Sequence, residues 1–295
     1  MLQLLEASSL TVDDLVEPWL PSDWFKGAGI ESLTFRHLLT HTSGFNQIFV
    51  ILAAFDAADP WNNSWDGLEF VVNAGAIPDS ENSYKNANFA LMRVLIPMLW
   101  KEFNPALMGI DITAENYGEI YLAYLYENLF HPAGIYNVSC EESNGYQFAR
   151  AYHTIYTELS GAVFDVGLQD CGGHGNLKLS AVEINRYLVH ALYNDAVLSP
   201  ANRQLMDDFG LGWVYWSIDD SDDIFYHPGD LYSSFDVLMM AEMEYQLMEF
   251  SKEIHTCTMK MPYQLEAALI INSNVSSGKS ACGILKEAFQ GAVFQ

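Results

Sequence analysis

The sequence predicts an α+β fold with helices first and strands later. From Asn46 to about Leu192 the apolar residues recur mostly at helical spacing. After Asp208 they fall into short runs, rich in aromatic and β-branched residues and bounded by turns. Strands do not alternate with helices, so a parallel βαβ sheet is not expected. With 295 residues, half of them hydrophobic and 14% aromatic, the chain can bury a sizeable core, which excludes global disorder.

Met1 to Ala7 is an apolar helical segment with no N-cap, and it reads as the tail of a helix already under way, since a helix starting there leaves its first-turn amides without partners. Leu10 to Leu20 is an acidic connection ended by prolines. Thr34 is placed to cap a short helix over FRHLLTH, stopped by Ser43-Gly44. A short helix is expected over Asp66–Asn73, carrying Leu68, Phe70, Val71 and Val72. Asn86–Trp100 predicts a longer one, kinked or ended by Pro97. Glu119–Phe130 is periodic through Ile120, Leu122, Leu125 and Leu129 and halts at His131-Pro132. Ser180 and Glu183 form a capping box ahead of INRYLVHAL. Strands are expected over Gly210–Ile218, Ile224–Tyr226, Ser234–Met240 and Ala267–Asn272. Between the last two, Glu242–Gln264 reads as a long charged insertion, and Ser277–Phe289 as a closing helix.

Thirteen Lys and Arg against 38 Asp and Glu leave a formal charge of −25. A chain this negative repels phosphate backbones and anionic lipid, which excludes nucleic acid and membrane surfaces as partners. Its densest apolar stretches, Ile48–Phe55 and Phe89–Trp100, fall short of the about 20 residues of a membrane span, and Arg93 interrupts the second. MLQLLEASSLTVDD has no basic region before its apolar run, so no signal peptide is read there. The four cysteines, Cys140, Cys171, Cys257 and Cys282, show no CxxC spacing and are expected as buried free thiols; the redox compartment stays open. GxSxG, the GxxxxGK[ST] phosphate loop and GxGxxG after a strand are all absent, and no cofactor is expected. His37 and His41 are spaced i,i+4 like zinc ligands, but the glutamate of HExxH is missing, so they are read as packing or capping residues and no metal site is expected. His153, His190 and His255 are read as structural or surface residues.

A series of segments in one order carries more. RHLLTHTSG (Arg36–Gly44) closely resembles the segment that marks the serine β-lactamase-related family, which includes class C β-lactamases, D-alanyl-D-alanine carboxypeptidases and the family VIII-type esterases that resemble them. LQLLEASSLTVDDLV resembles the helix tail and connection after that family's nucleophile, and YKNANFALM its Y-x-N motif with the following helix. EIYLAYLYENLFHPAGI is similar to the helix and Pro-x-Gly turn that come next. CGGHGNLKLSAVEINRYL resembles the Gly-Gly loop and capped helix, and LSPANRQLM with GLGW the approach to the sheet. HPGD resembles the third motif, where the family has K-T-G or H-x-G, and AALIINSN the strand before the last helix. The resemblance implies a β-lactamase/transpeptidase-like fold, an antiparallel sheet flanked by helices plus a mostly helical region. It implies one incomplete domain over 1-295, with 34-192 mostly helical, 1-33 and 204-295 associated with the sheet, and the family's first strands absent.

The chemistry so implied is acyl transfer through a serine ester. A serine hydroxyl is too weakly acidic to attack unaided and needs a neighbouring base. In the family a Lys one turn after the Ser, in S-x-x-K, shares that work with the Tyr of Y-x-N. The matching residues here are Tyr84, as proton relay to the leaving group, and Asn86, holding the lysine and the substrate amide. His227 would line the strand edge and donate to a substrate carboxylate or to Tyr84. Gly229 lets substrate backbone lie against the strand, and the strand side of the oxyanion hole would come from around Asp230 and Leu231. An inward Asp230 carboxylate would favour neutral esters or amides. Gly172 and Gly173 complete the expected substrate-binding set.

The nucleophile is expected upstream of Met1, where the family has S-x-x-K. The string Ser276–Lys279 stands at the wrong end of the order and reads as chance. The expectation is a hydrolase of an ester or amide (a β-lactam, a D-Ala-peptide or a small ester) that lacks its nucleophile segment and is inactive as written. The alternative is a non-catalytic binding protein on the same scaffold. The implied partner is a small-molecule or peptide substrate, and the resemblance leans towards an extracytoplasmic setting.

Overall fold

The structure is a computed structural model that describes residues 1–45, 64–80, 84–140, 148–152, 161–163, 171–217, 223–235, 250–273 and 278–293. The stretch 48–55, His153, residues 236–240 of one expected strand and Ser276 lie outside them. The chain divides into two compact units: Met1–Glu141 with Val166–Lys178 and Arg186–Gly212, and Glu142–Asp165 with Leu179–Asn185 and Trp213–Gln295.

The first unit is helical. Helix α1 (Leu2–Ala7) buries Leu2, Leu4 and Leu5, and Gln3 anchors it by donating to the carbonyls of Asn128 and Val197 (3.2 and 2.6 Å) while accepting from the Tyr124 hydroxyl. Helix α2 (Phe35–Leu39) starts at the expected cap. Thr34 Oγ1 accepts from the His37 amide, and His37 Nδ1 accepts in return from the Thr34 amide (3.0 Å), which makes His37 the second member of a capping box. Helix α3 (Trp65–Ala74) is capped by Ser64.

Helices α4 (Ala87–Ala90) and α5 (Met92–Trp100) run on through Leu91, whose own backbone is helical. Pro97, expected to kink or end this helix, does not end it and lies inside α5. One ladder bond is lost there, and the burial of Val94, Leu95 and Leu99 outweighs it. Helix α6 (Tyr117–Leu125) packs on α5 and continues as a π-turn to Phe130, stopping at His131-Pro132 as the sequence predicts. Ser180 and Glu183 form their reciprocal box, 3.2 and 2.8 Å, at the head of α7 (Ala181–Tyr193). Helix α8 (Pro200–Phe209) ends on Gly210 in the left-handed region.

The second unit is built on an antiparallel sheet in the order β1 (Val214–Ser217), β2 (Asp223–Phe235), β3 (Phe250–Met261), β4 (Leu265–Ile271), covered by α9 (Ala281–Val293). Two expectations are corrected here. The runs at Ile224–Tyr226 and Ser234 onward belong to one strand, β2, with HPGD in its middle. The supposed insertion supplies β3, an inner strand of the sheet. Its charges, Lys252, Glu253 and Lys260, obscure a clean alternation: Cys257, Met259 and Met261 face the core, with Thr256, Thr258 and Lys260 between them.

Together with Ile224, Ala281, Cys282 and Phe289, those three residues form the core of this unit, with Tyr226, Ala267, Leu269 and Ile271 packed against it. One face of the sheet therefore looks at α9. The pleat sends His227 and Gly229 to the other face, opposite Thr258 and Thr256 in the register.

The four cysteines are not free thiols. Cys140 bonds Cys171 and Cys257 bonds Cys282, at Cα separations of 5.6 and 5.1 Å. The first closes onto the Gly172-Gly173 loop and the second ties β3 to α9. Each stabilises by about 2–4 kcal/mol, chiefly by constraining the unfolded chain.

Candidate functional site

In the helical unit the site residues gather around His41. Helix α2 ends there through the left-handed region (φ 57°), a conformation histidine adopts more readily than branched residues. The imidazole is buried, 4% exposed, and its Nδ1 accepts from the Lys85 amide (3.3 Å) and from Asn88 Nδ2 (3.0 Å). A nitrogen that accepts two N–H groups carries no proton, so His41 is the neutral Nε2–H tautomer. Tyr84 packs against it, tilted by 35°, at 4.4 Å between ring centroids, and Phe89 packs at 5.0 Å. Tyr84 itself is 46% exposed, accessible to a ligand. Asn86 is the N-cap residue of α4. Asn88, which the sequence reading passed over, is fully buried and also donates to the Lys85 carbonyl (3.1 Å), bracing the turn from beneath. Its Oδ1 has no partner among the described residues and is suited to a bound water.

Thus the i,i+4 pair His37 and His41 divides into a cap and a packing residue. His37 Nε2 also meets Asp79 at 3.0 Å. Among the described residues no group of three or more His, Cys, Asp or Glu is placed to hold a metal ion.

The Gly172-Gly173 loop, also in this unit, is held by Tyr121. Gly173 N–H donates to Tyr121 Oη (2.9 Å), and a Cβ at Gly172 (φ 79°) would sit 2.6 Å from the tyrosine ring. Only glycine satisfies both constraints there. Burial pushes the Tyr121 phenol up, against the opposing pull of the Gly173 amide and of buried Arg93, whose guanidinium lies 5.9 Å from the ring. The phenol is therefore neutral and acts as an acceptor.

In the sheet unit, His227, Pro228, Gly229 and Asp230 lie in β2 past the end of β1, whose last pair is Val214 with Tyr226. Among the described residues this stretch is paired only by β3 and forms an open edge, the setting in which an internal proline is tolerated. Gly229 lies against Thr256, whose Oγ1 occupies the place of a Cβ and donates to the Gly229 carbonyl (3.2 Å). His227 Nδ1 lies 2.7 Å from the Pro228 carbonyl, so it must carry the proton and donate. Burial holds the ring below the usual histidine range, opposed by that hydrogen bond. In the neutral ring Nε2 is then the unprotonated nitrogen, where the sequence suggested a donor. The Asp230 side chain turns to the opposite face and pairs with His255 at 2.6 Å, so any part it plays on the His227 face falls to its backbone.

Fold and motif order define a β-lactamase/transpeptidase-like α+β protein. Residues 1–99 match the sequence model of the Beta-lactamase family. Penicillin-binding protein 4* of Bacillus subtilis (strain 168) is 25% identical over 255 residues, 77% of this chain and 51% of that protein, so the chain spans about half the length of the curated relative it matches. The penicillin binding protein from Bacillus halodurans superposes with a TM-score of 0.59 at 16% identity, covering 98% of this chain and 80% of that one. D-amino acid amidase from Ochrobactrum anthropi SV3 does so at 0.60 and 16%, covering 99% and 81%. The chain thus shares its fold with these structures, and residues 1–99 are similar to the Beta-lactamase family.

Proposed function

We propose that this chain supplies the substrate-binding and proton-relay residues of an acyl-serine hydrolase acting on an ester or amide: a β-lactam, a D-Ala-peptide or a small ester. One observation carries the reading. The Tyr84-Lys85-Asn86 turn is locked by a buried neutral histidine while Tyr84 itself stays accessible, as a relay must be. Asn86 takes the role of holding the substrate amide, and the Gly172-Gly173 loop and the Gly229–Leu231 backbone that of lining the substrate.

His227, with Nδ1–H committed to Pro228, suits an N–H or hydroxyl of the substrate better than its carboxylate. Neutral amides and esters are then preferred, in line with the scarcity of Lys and Arg. The two disulfides fit an oxidising compartment.

Acylation also needs a serine with a base beside it. The S-x-x-K string at Ser276–Lys279 does not provide one, because Lys279 is paired with Glu287 at 2.5 Å on an exposed surface. These 295 residues by themselves are therefore expected to bind substrate without turning it over. Titrating the isotope-labelled chain with D-phenylalanine amide and with benzylpenicillin should shift the Tyr84, His227 and Gly229 resonances, with no product formed. Silence at all three under saturating ligand would sink the binding assignment. A fluorophosphonate adduct mapped by mass spectrometry to any residue of this chain would sink the claim of no turnover.

A further inference from the structure

We propose that His255, held as an imidazolium between Asp230 and Glu253, is a positioning residue for the open edge of β2, and that loss of its proton loosens the Gly229–Leu231 backbone. The substrate-lining part of this inference rests on the hydrolase reading above; the clamp itself does not.

The protonation state follows from geometry. His255 Nδ1 lies 2.6 Å from Asp230 Oδ1, and Nε2 lies 2.7 Å from Glu253 Oε2. Carboxylate oxygens only accept, and a neutral imidazole carries one N–H, so both contacts are hydrogen bonds only when both ring nitrogens are protonated. Asp230 sits directly across the ladder from His255, and Glu253 is two residues earlier on the same strand and the same face.

The location gives the clamp its function. Up to Tyr226, β2 is flanked by β1 and β3; from His227 onward, among the described residues, β3 alone pairs with it. Pro228 has no amide to contribute and Gly229 no side chain to pack, so lateral support is thinnest just before Asp230. The charged cross-strand pair makes up that deficit by tying Asp230, and with it the neighbouring amides, to β3.

Among the described residues, the titratable groups hydrogen-bonded to the ring are Asp230 from β2 and Glu253 from β3 itself. In the β4 register its partner is Ile271, and from residues 148–152 Tyr152 pairs with Glu253. Burial alone would favour the neutral ring, but the hydrogen bonds and charges of the two carboxylates outweigh it and hold His255 above its ordinary value. With the folded value raised, the clamp contributes fully at pH below the ordinary histidine value and is lost as pH rises through the raised one. On deprotonation the cluster goes from one net negative charge to two, and one ring nitrogen turns a lone pair towards a carboxylate, so that contact opens.

The test is a histidine Cε1–H NMR titration of the whole chain and of the isosteric variants Asp230→Asn and Glu253→Gln, with amide hydrogen exchange at Gly229–Leu231 over the same pH range. His255 should titrate above the ordinary histidine value, with lower midpoints in both variants. Intrinsic-rate-corrected protection at residues 229–231 should fall about tenfold across the wild-type midpoint, the effect of losing one charge-assisted hydrogen bond, while Phe225 and Tyr226 stay unchanged. A midpoint at or below the ordinary value, a midpoint that neither variant moves, or protection that ignores the midpoint overturns the clamp. Affinity for D-phenylalanine amide should weaken over the same interval, and at lower pH in Asp230→Asn; an affinity flat across it overturns the positioning role. If the clamp titrates as stated and nothing binds at any pH, the hydrolase reading fails and the clamp stands.

Discussion

His41 and His255 hold the two sets of candidate site residues in place by opposite chemistry. His41, fully enclosed in the helical unit, positions the Tyr84-Lys85-Asn86 turn with a lone pair: its unprotonated Nδ1 gathers two N–H donors. His255, whose side chain is 14% exposed in the sheet unit, positions the end of the open β2 edge with two N–H donors directed at carboxylates. A proton added to His41 Nδ1 would expel both donors, whereas a proton removed from His255 would release a carboxylate. The same residue type serves both because imidazole can accept or donate, and the surroundings decide which: amides alone around Nδ1 of one ring, carboxylates at both nitrogens of the other.

The largest effect should separate the two by stability. His41→Ala strands two buried donors and leaves a cavity, at a cost of about 3–5 kcal/mol. His255→Ala removes a partly exposed, solvent-screened cluster whose Asp230 is 42% exposed, and should cost about 1–2 kcal/mol. Urea denaturation of both variants reads the difference. Equal losses would mean that the His41 contacts are no more than surface interactions, or that the His255 cluster is a core element.

Tyr121→Phe probes a third support and should have a smaller effect than His41→Ala. It keeps the ring that fills the space above Gly172 and removes only the acceptor of the Gly173 N–H, a loss of about 1–2 kcal/mol. Amide exchange should accelerate at Gly173 and leave Lys85 and Asp230 unchanged. Acceleration at Lys85 as well would show that the Gly-Gly loop and the Tyr84 turn form one cooperative element.

Much of this was legible locally. Thr34 and Ser180 stand directly before their helices with the reciprocal residue three positions on, so their caps need no knowledge of the rest of the chain. The order of the motifs, from RHLLTHTSG through YKN to HPGD, pointed to the fold before any geometry. What escaped is non-local. The Asp230–His255 pair exists because of a strand register that joins residues 25 apart, and nothing within either segment encodes it. The same holds for the two disulfides, whose partners lie 31 and 25 residues apart. Strand β3 was missed for a different reason: charged side chains on an inner strand lower its mean hydropathy, and the Cys257–Met259–Met261 alternation beneath is visible only position by position. His37 and His41 were read together as packing or capping residues; which does which, and which turn His41 packs under, depends on the fold.

The smallest effect concerns the sign of a pH slope. Burial lowers the His227 proton affinity, so between the folded and the ordinary histidine values the unfolded chain binds a proton that the folded chain does not. Stability then rises with pH across that window, and the cost appears as pH falls through the ordinary value. His255 has the opposite sign: its contribution is present at acid pH and lost as pH rises through its raised value. Two histidines within one unit should therefore bend the stability curve from both sides, each by at most about 1.4 kcal/mol per pH unit, the limit for a single proton. His227→Gln should flatten the acid limb and leave the alkaline limb intact, and Asp230→Asn should do the reverse, as followed by urea midpoints at half-unit pH steps. If His227→Gln flattens the alkaline limb instead, His227 is charged in the folded protein. Its Nε2 would then be a donor, and the preference for neutral substrates would give way to one for carboxylates.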